Sequence, residues 1–247
     1  MDEIKNVAKI LKNSKQAVAL TGSGISTGSG IPTFRGKDGL WNKYDPEKFT
    51  MEYFMKNPKD FWSTAKNLFL PLINAFPSKS HYVLAELEEM GIIKAVITQN
   101  IDGLHQKAGS KNVLEIHGNG KKLKCLLCGE EYEIENFIDE INKNNVPLCK
   151  KCHSILKPDA VLFGELLPKK TYLNSIYYSY TADVMLVIGT SLLVEPAASL
   201  PFSAKENGAK IITINLEKTP LDDLADYILK GYSDEILDKI LNEIKNL

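Results

Sequence analysis

Two sets of residues in this chain are spaced to do chemistry. Cys125, Cys128, Cys149 and Cys152 form two C-x-x-C pairs with twenty residues between them. Four thiolates gathered from such pairs complete a tetrahedral donor set, which points to one structural zinc ion with no open position for catalysis. Gly129 lets the chain turn sharply after Cys128, and His153, next to Cys152, is surplus to a filled tetrahedron. The competing reading, reduced cysteines or two redox dithiols, is weaker because neither pair opens a thioredoxin-like helix after a strand. The second set is Thr21-Gly22-Ser23-Gly24-Ile25-Ser26, followed by Ser29-Gly30-Ile31-Pro32-Thr33-Phe34-Arg35-Gly36. An apolar run that breaks into glycines is where a Rossmann-like sheet offers N–H groups to phosphate. Arg35 is the one arginine among thirty basic residues. Its planar fork points to a bidentate or stacked contact that lysine does not make. G-S-G alone says only "nucleotide", because the third glycine and a following acidic residue are missing.

These residues need elements to hold them. Apolar periodicity predicts an amphipathic helix over 2–14, then a short buried strand over 17–20. Residues 29–77 read as helical segments, including 46–55 and 58–70, with Trp41, Tyr44, Phe49, Phe54, Phe61 and Trp62 packing a small layer. A helix over 80–90 stops at Gly91, and 95–97 is the second core strand. The metal knuckles flank a helix over 134–142. A helix over 169–181 leads into a strand over 184–188, a helix over 196–207 into a strand over 210–214, and an edge strand covers 227–229. The fold class expected is α/β: a Rossmann-like parallel sheet with helices on both faces, plus a smaller domain made of the helical insertion and the four-cysteine module. The expected division is 1–28, 78–118 and 158–247 for the sheet domain, 29–77 for the helical part with a cofactor loop, and 119–157 for the zinc module. Ligands of such sheets bind beyond the carboxyl ends of the strands, here Thr21–Gly24, Thr98–Asp102, Gly189–Ser191 and Asn215.

The bulk numbers narrow the partners. A formal net charge of -1 leaves no global field to recruit nucleic acid or an anionic membrane. The first residues lack a secretory hydrophobic stretch and no run of eighteen apolar residues occurs. A cytoplasmic protein, expected to be a monomer, follows from this reading.

Thr98-Gln99-Asn100-Ile101-Asp102-Gly103-Leu104-His105 and Glu115-Ile116-His117-Gly118-Asn119-Gly120 complete a pattern. Together with the glycine loop, G-I-P-x-F-R-G and the cysteines, in this order, the chain resembles the sirtuin family of NAD-dependent protein deacylases over essentially its whole length. The resemblance is taken as closest to compact bacterial members. It implies NAD as co-substrate, one structural zinc, and acetyl-lysine-bearing proteins as the partners. The amide oxygen of the acyl-lysine would attack C1′ of the nicotinamide ribose, and nicotinamide, 2′-O-acyl-ADP-ribose and free lysine would be released. His117 would be the general base, a task suited to an imidazole with an ordinary pKa near 6.5. Asn100 and Asp102 would arrange ribose and nicotinamide, with the Ile101 amide, and Gln99 would bond the ribose 3′-hydroxyl. Gly22, Ser23, Gly24, Gly189, Thr190 and Ser191 would meet phosphates or ribose, and Asn215 and Leu216 the adenosine half. Thr33, Phe34 and Arg35 would belong to the cofactor loop, with His105 structural beneath the site. Val161, Phe163, Gly164, Glu165, Leu193 and Val194 would form the acyl-peptide groove, a β-augmentation that largely ignores side chains. An ADP-ribosyltransferase or NAD hydrolase on the same scaffold is the alternative activity.

Departures from the family pattern refine the expectation. Ser23 stands where the glycine loop usually has alanine, a change small enough to keep activity. Thr33 stands where many deacetylases have aspartate, and members specialised for succinyl or malonyl groups often have threonine there. Those members also carry a tyrosine and an arginine three apart, where this chain has Ala65 and Leu68. Acetyl or longer neutral acyl groups are therefore expected. Glu195 at the groove rim is expected to favour basic residues beside the target lysine.

Overall fold

The computed structural model describes residues 2–37 and 39–247. Helix α1 (Asp2–Asn13) leads into β1 (Ala17–Thr21), whose five residues are all buried. Next come α2 (Met51–Lys56), α3 (Pro58–Ile73), α4 (Lys79–Glu89), β2 (Ile93–Thr98), α5 (Leu104–Lys107) and β3 (Val113–Glu115). A second stretch holds β4 (Gly118–Cys125), β5 (Glu131–Glu133), α6 (Ile138–Asn142) and β6 (Leu156–Ala160). The chain closes with α7 (Lys169–Thr181), β7 (Val184–Ile188), α8 (Leu200–Glu206), β8 (Lys210–Asn215), β9 (Tyr227–Lys230) and α9 (Ser233–Asn246). No helix among the described residues is long and apolar enough to cross a membrane.

Six strands form one parallel sheet in the order β3-β2-β1-β7-β8-β9. Counted within that sheet this is 3-2-1-4-5-6, the dinucleotide-binding order, and it reverses direction between β1 and β7. Alternation along each strand builds two cores. Ala17, Ala19, Leu186 and Ile212 pack with α1, α4 and α9, while Val18, Leu20, Val187 and Ile211 face the other side with α8. Burial on both faces explains why these strands read as continuous apolar runs.

The smaller lobe differs from expectation in detail. Beyond the cysteines and a helix it contains a three-stranded antiparallel sheet, β5-β4-β6. Its strands, such as GNGKKLKC, carry glycine and lysine where a strand signal needs β-branched residues. The helix expected over 134–142 begins as a 3-10 turn, Ile134–Phe137. The helix expected over 46–55 is broken at Thr50, whose hydroxyl accepts from the Tyr53 amide (3.1 Å) and starts α2. The helix expected over 196–207 starts as a 3-10 turn at Ala197–Ser199, and Pro201 then sits in the first turn of α8. The aromatic layer forms as expected: Phe49, Phe54, Phe61 and Trp62 are buried in one cluster with Cys125 and Cys149, and Trp41 and Tyr44 pack against it.

Candidate active site

A cleft of about 1080 Å³ lies between the carboxyl edge of the parallel sheet and the smaller lobe. Its floor begins where β1 ends. The Gly22 amide donates to Ile188 O (3.0 Å) and the Gly24 amide to Gly189 O (2.8 Å). These bonds stitch the glycine loop to the end of β7, across the point where strand order reverses. A Cβ on Gly24 would lie 2.6 Å from the Gly189 Cα, and one on Gly22 would lie 2.7 Å from the Thr190 Cβ. The glycines are thus required by close approach of two loops, and two of their amides are already engaged. After them the chain turns as a 3-10 helix, Ser23–Ser29.

The loop after β2 supplies the centre. Asn100 and Asp102 are both buried. Asn100 Nδ2 donates to Gly22 O (3.2 Å) and to Ser26 Oγ (3.0 Å), and Ser26 Oγ donates to Asp102 Oδ2 (2.7 Å). Asp102 Oδ1 accepts from the Leu104 amide (2.9 Å). Ser26 therefore ties the glycine loop to both residues. Its type gave no signal in the sequence, where it was one more hydroxyl in a small-residue run. Beneath this layer Thr21 Oγ1 lies 2.9 Å from both Thr98 Oγ1 and His105 Nε2. Burial holds the pKa of His105 well below its ordinary value, with neighbouring His81 adding to the effect. His105 is buried and is not among the residues lining the cleft.

His117 lies half-buried on the cleft wall. Its Nδ1 is 3.0 Å from Gln99 O. A carbonyl only accepts, so Nδ1 carries the proton and Nε2 is left with its lone pair. Burial lowers the His117 pKa, opposed by that carbonyl, and the base form prevails at neutral pH. Gln99 Nε2 donates to Thr190 Oγ1 (2.9 Å), and Asn215 Nδ2 donates to Thr190 O (2.9 Å). Ser23, Ile101, Gly189, Ser191 and Leu216 line the same cleft.

Thr33, Phe34 and Arg35 line its mouth. The Arg35 side chain is exposed, and the loop is held by the Thr33 hydroxyl donating to Arg35 O (2.7 Å) and by Phe34 packing on Trp41 (centroids 5.2 Å). Val161, Phe163, Gly164, Glu165 and Val194 also line the cleft, whereas Leu193 is 60% exposed and is not among the lining residues. Phe163 is anchored by backbone bonds to Phe49 and Met51 (3.0 and 2.9 Å). Helix α3 adds Asn67, Leu68, Phe69, Pro71 and Leu72 to the wall, none of them cationic, while Ala65 is fully buried. Glu195 lines the rim and accepts from Ser199 Oγ (2.6 Å).

The sulfurs of Cys125, Cys128, Cys149 and Cys152 all lie within 4.8 Å of one another. Zinc–sulfur bonds of about 2.3 Å place tetrahedral sulfurs nearly 4 Å apart, so this donor set fits one zinc ion. The two knuckles repeat one backbone design. The Cys125 amide donates to Glu130 O (2.9 Å) and the Cys149 amide to Ser154 O (2.8 Å). The residue after each second cysteine has positive φ, Gly129 at 74° and His153 at 59°.

Residues 22–196 match the family model described as Sir2 family. The chain belongs to the Sir2 family. It is 50% identical over 248 residues to the NAD-dependent protein deacylase 2 of Archaeoglobus fulgidus, spanning 100% of this chain and 98% of the relative. It is 48% identical to the NAD-dependent protein deacetylase of Saccharolobus solfataricus, spanning 98% of this chain and 97% of that one. A solved structure of Sir2 with a p53 peptide and NAD+ superposes with a TM-score of 0.92 at 40% identity, covering 99% of both chains. Both of those relatives are archaeal, which corrects the expectation of closest kinship with compact bacterial members. The motifs that carry the family chemistry hold no record of lineage, so they misplaced this Sir2 chain while placing its family.

Proposed function

We propose that this Sir2 protein removes acetyl groups from protein lysines with consumption of NAD, releasing nicotinamide, 2′-O-acetyl-ADP-ribose and free lysine. One observation carries the reading: His117, its Nδ1 bonded to Gln99 O, lines a single cleft shared by the glycine loop and the 161–165 segment. Relatives at 48–50% identity are named NAD-dependent deacylases or deacetylases, which supports the same activity here.

NAD supplies the electrophilic ribose carbon. Asn100 and Asp102, held by Ser26, orient ribose and carboxamide, with the Ile101 amide adding a donor. Gln99 and Thr190 are assigned to ribose hydroxyls, Ser23 and Ser191 to phosphates, and Asn215 and Leu216 to the adenosine half. Phe34 and Arg35 close the mouth against water. His117 Nε2 takes the proton from a ribose hydroxyl, and the Nδ1–H bond to Gln99 O steadies the imidazolium that forms. Val161 and Phe163 enclose the lysine stem, where an uncharged amide is admitted and an ammonium is penalised. The four cysteines hold zinc, which shapes the smaller lobe and takes no part in the reaction.

An acetylated peptide should be turned over at least ~10-fold more efficiently than its succinylated counterpart, because α3 offers no cation to a terminal carboxylate. Kinetics over an acyl-peptide series check this. Higher kcat/KM on succinyl-lysine would transfer the acyl specificity to Thr33 and its loop.

A further inference from the structure

Glu165 is placed at the acyl-peptide groove, yet its carboxylate turns inward. Lys157 on β6 is only 6% exposed. Its Nζ donates to Pro158 O (2.8 Å) and Ala160 O (2.7 Å) and meets Glu165 Oε2 at 2.9 Å. All three ammonium hydrogens thus have an acceptor. The same Glu165 oxygen accepts from the Leu162 amide (2.8 Å), and the Glu165 amide donates to Leu162 O (3.0 Å). The chain from 158 to 165 is folded around one charge pair, its lysine buried and its glutamate half-buried at the cleft. Its middle residue is joined to the base: the Val161 amide donates to His117 O (2.8 Å).

Burying Lys157 costs desolvation that attraction to a half-buried glutamate only partly returns, and apolar residues of similar volume often serve stability as well. The gain here is geometric. Without the pair, the Leu162 amide and two carbonyls beside the groove lose their common anchor.

Resting on the deacetylase reading above, we propose that Lys157 and Glu165 are positioning residues. Their pairing sets the backbone edge that receives the acyl peptide and fixes its distance from His117. Lys157 does not line the cleft, and the Glu165 carboxylate is engaged by Lys157 and the Leu162 amide. Loss of the pair should therefore fall on peptide recognition and spare the dinucleotide.

The test uses the full-length protein and three variants: Lys157→Met, Glu165→Gln and the double variant. Steady-state kinetics with NAD and an acetylated peptide, and thermal unfolding, are measured for each. Each single variant should unfold at lower temperature, since it leaves one partner buried alone, whereas the double variant should regain most of that loss. Peptide KM should nonetheless stay raised by ~10-fold or more in the double variant, with NAD KM within ~2-fold of the parent. Restored stability with peptide KM back at the parent value would overturn the proposal, as would peptide and NAD KM rising together. A double variant that does not fold would assign the pair to stability and overturn it too. Failure of the parent to turn over acetyl peptide with NAD would overturn the deacetylase reading and this proposal with it. Normal parent turnover with unaltered variants would remove the positioning role alone.

Discussion

Val184–Ile188 in the large sheet is buried at every residue, whereas Glu131–Glu133 in the small sheet is exposed at both ends and half-buried between. The large sheet is packed from both sides by apolar clusters drawn from all six of its strands and from helices at both ends of the chain. The smaller lobe has one cluster, in which aromatic rings from the 49–72 region meet two of the four cysteines. Apolar area alone suffices for the first. The zinc proposed above would tie the second together through four cysteine sulfurs that lie within 4.8 Å of one another, in a lobe where strands such as GNGKKLKC carry glycine and lysine. The cleft needs both walls, so its weaker wall decides when the site exists.

Removing a metal ligand should break the two regions apart. In Cys149→Ala, bound zinc, expected at one equivalent by elemental analysis, should fall to near zero and activity should drop by ~100-fold or more, because structural zinc sites contribute ~10 kcal/mol of folding free energy or more. Hydrogen exchange should show β4, β5 and β6 deprotected while β1, β7 and β8 keep their protection. Uniform loss of protection in both sheets would end the distinction.

Acid should act on the opposite wall. Burial pushes the pKa of His81 and His105 below the ordinary 6.5, against the pull of Asp102 and Asp234 on His81. Burial lowers His117 likewise. The unfolded chain therefore takes up protons near pH 6.5 while the folded chain does so only at lower pH. Stability is full above about 6.5 and declines as pH falls through the folded values, by ~1.4 kcal/mol for each unit of displacement. Urea midpoints at pH 7.5 and 5.5 should fall in that order, with exchange rising first around α4 and α5. A midpoint independent of pH would contradict the buried neutral state of these rings.

The smallest effect concerns the two knuckles. His153 holds at φ 59° the position that Gly129 holds at 74°. A side chain in that region costs about 1 kcal/mol, so His153→Gly should raise the stability of the smaller lobe by roughly that amount. Zinc affinity measured by chelator competition should rise or stay level. A loss of affinity would show that the imidazole contributes to the site.

The same contrast explains what could be read from the chain. The strands at 17, 184 and 210 were legible because burial on both faces writes them as unbroken apolar runs ending at Gly22, Gly189 and Asn215. Strand β3, only three residues long, is too short for any period to show. In the smaller lobe β4 carries three lysines and two glycines, and only pairing with β5 and β6 makes it a strand. At the site, His117, Asn100 and Asp102 stood out because their neighbours form motifs. Ser26 and Lys157 did not, since their roles depend on Asp102, seventy-six positions away, and on a burial that a lysine never announces.

The central claim is NAD-coupled deacetylation with His117 as base. Mass spectrometry of the products from NAD and an acetyl-lysine peptide, with wild type and His117→Ala in parallel, tests it most directly. Wild type should release nicotinamide, O-acetyl-ADP-ribose and deacetylated peptide in equal amounts, and His117→Ala should lose ~10²–10⁴-fold of that turnover while still binding the peptide. ADP-ribose appearing with the peptide still acetylated, ADP-ribose joined to protein, or undiminished turnover in His117→Ala would contradict it.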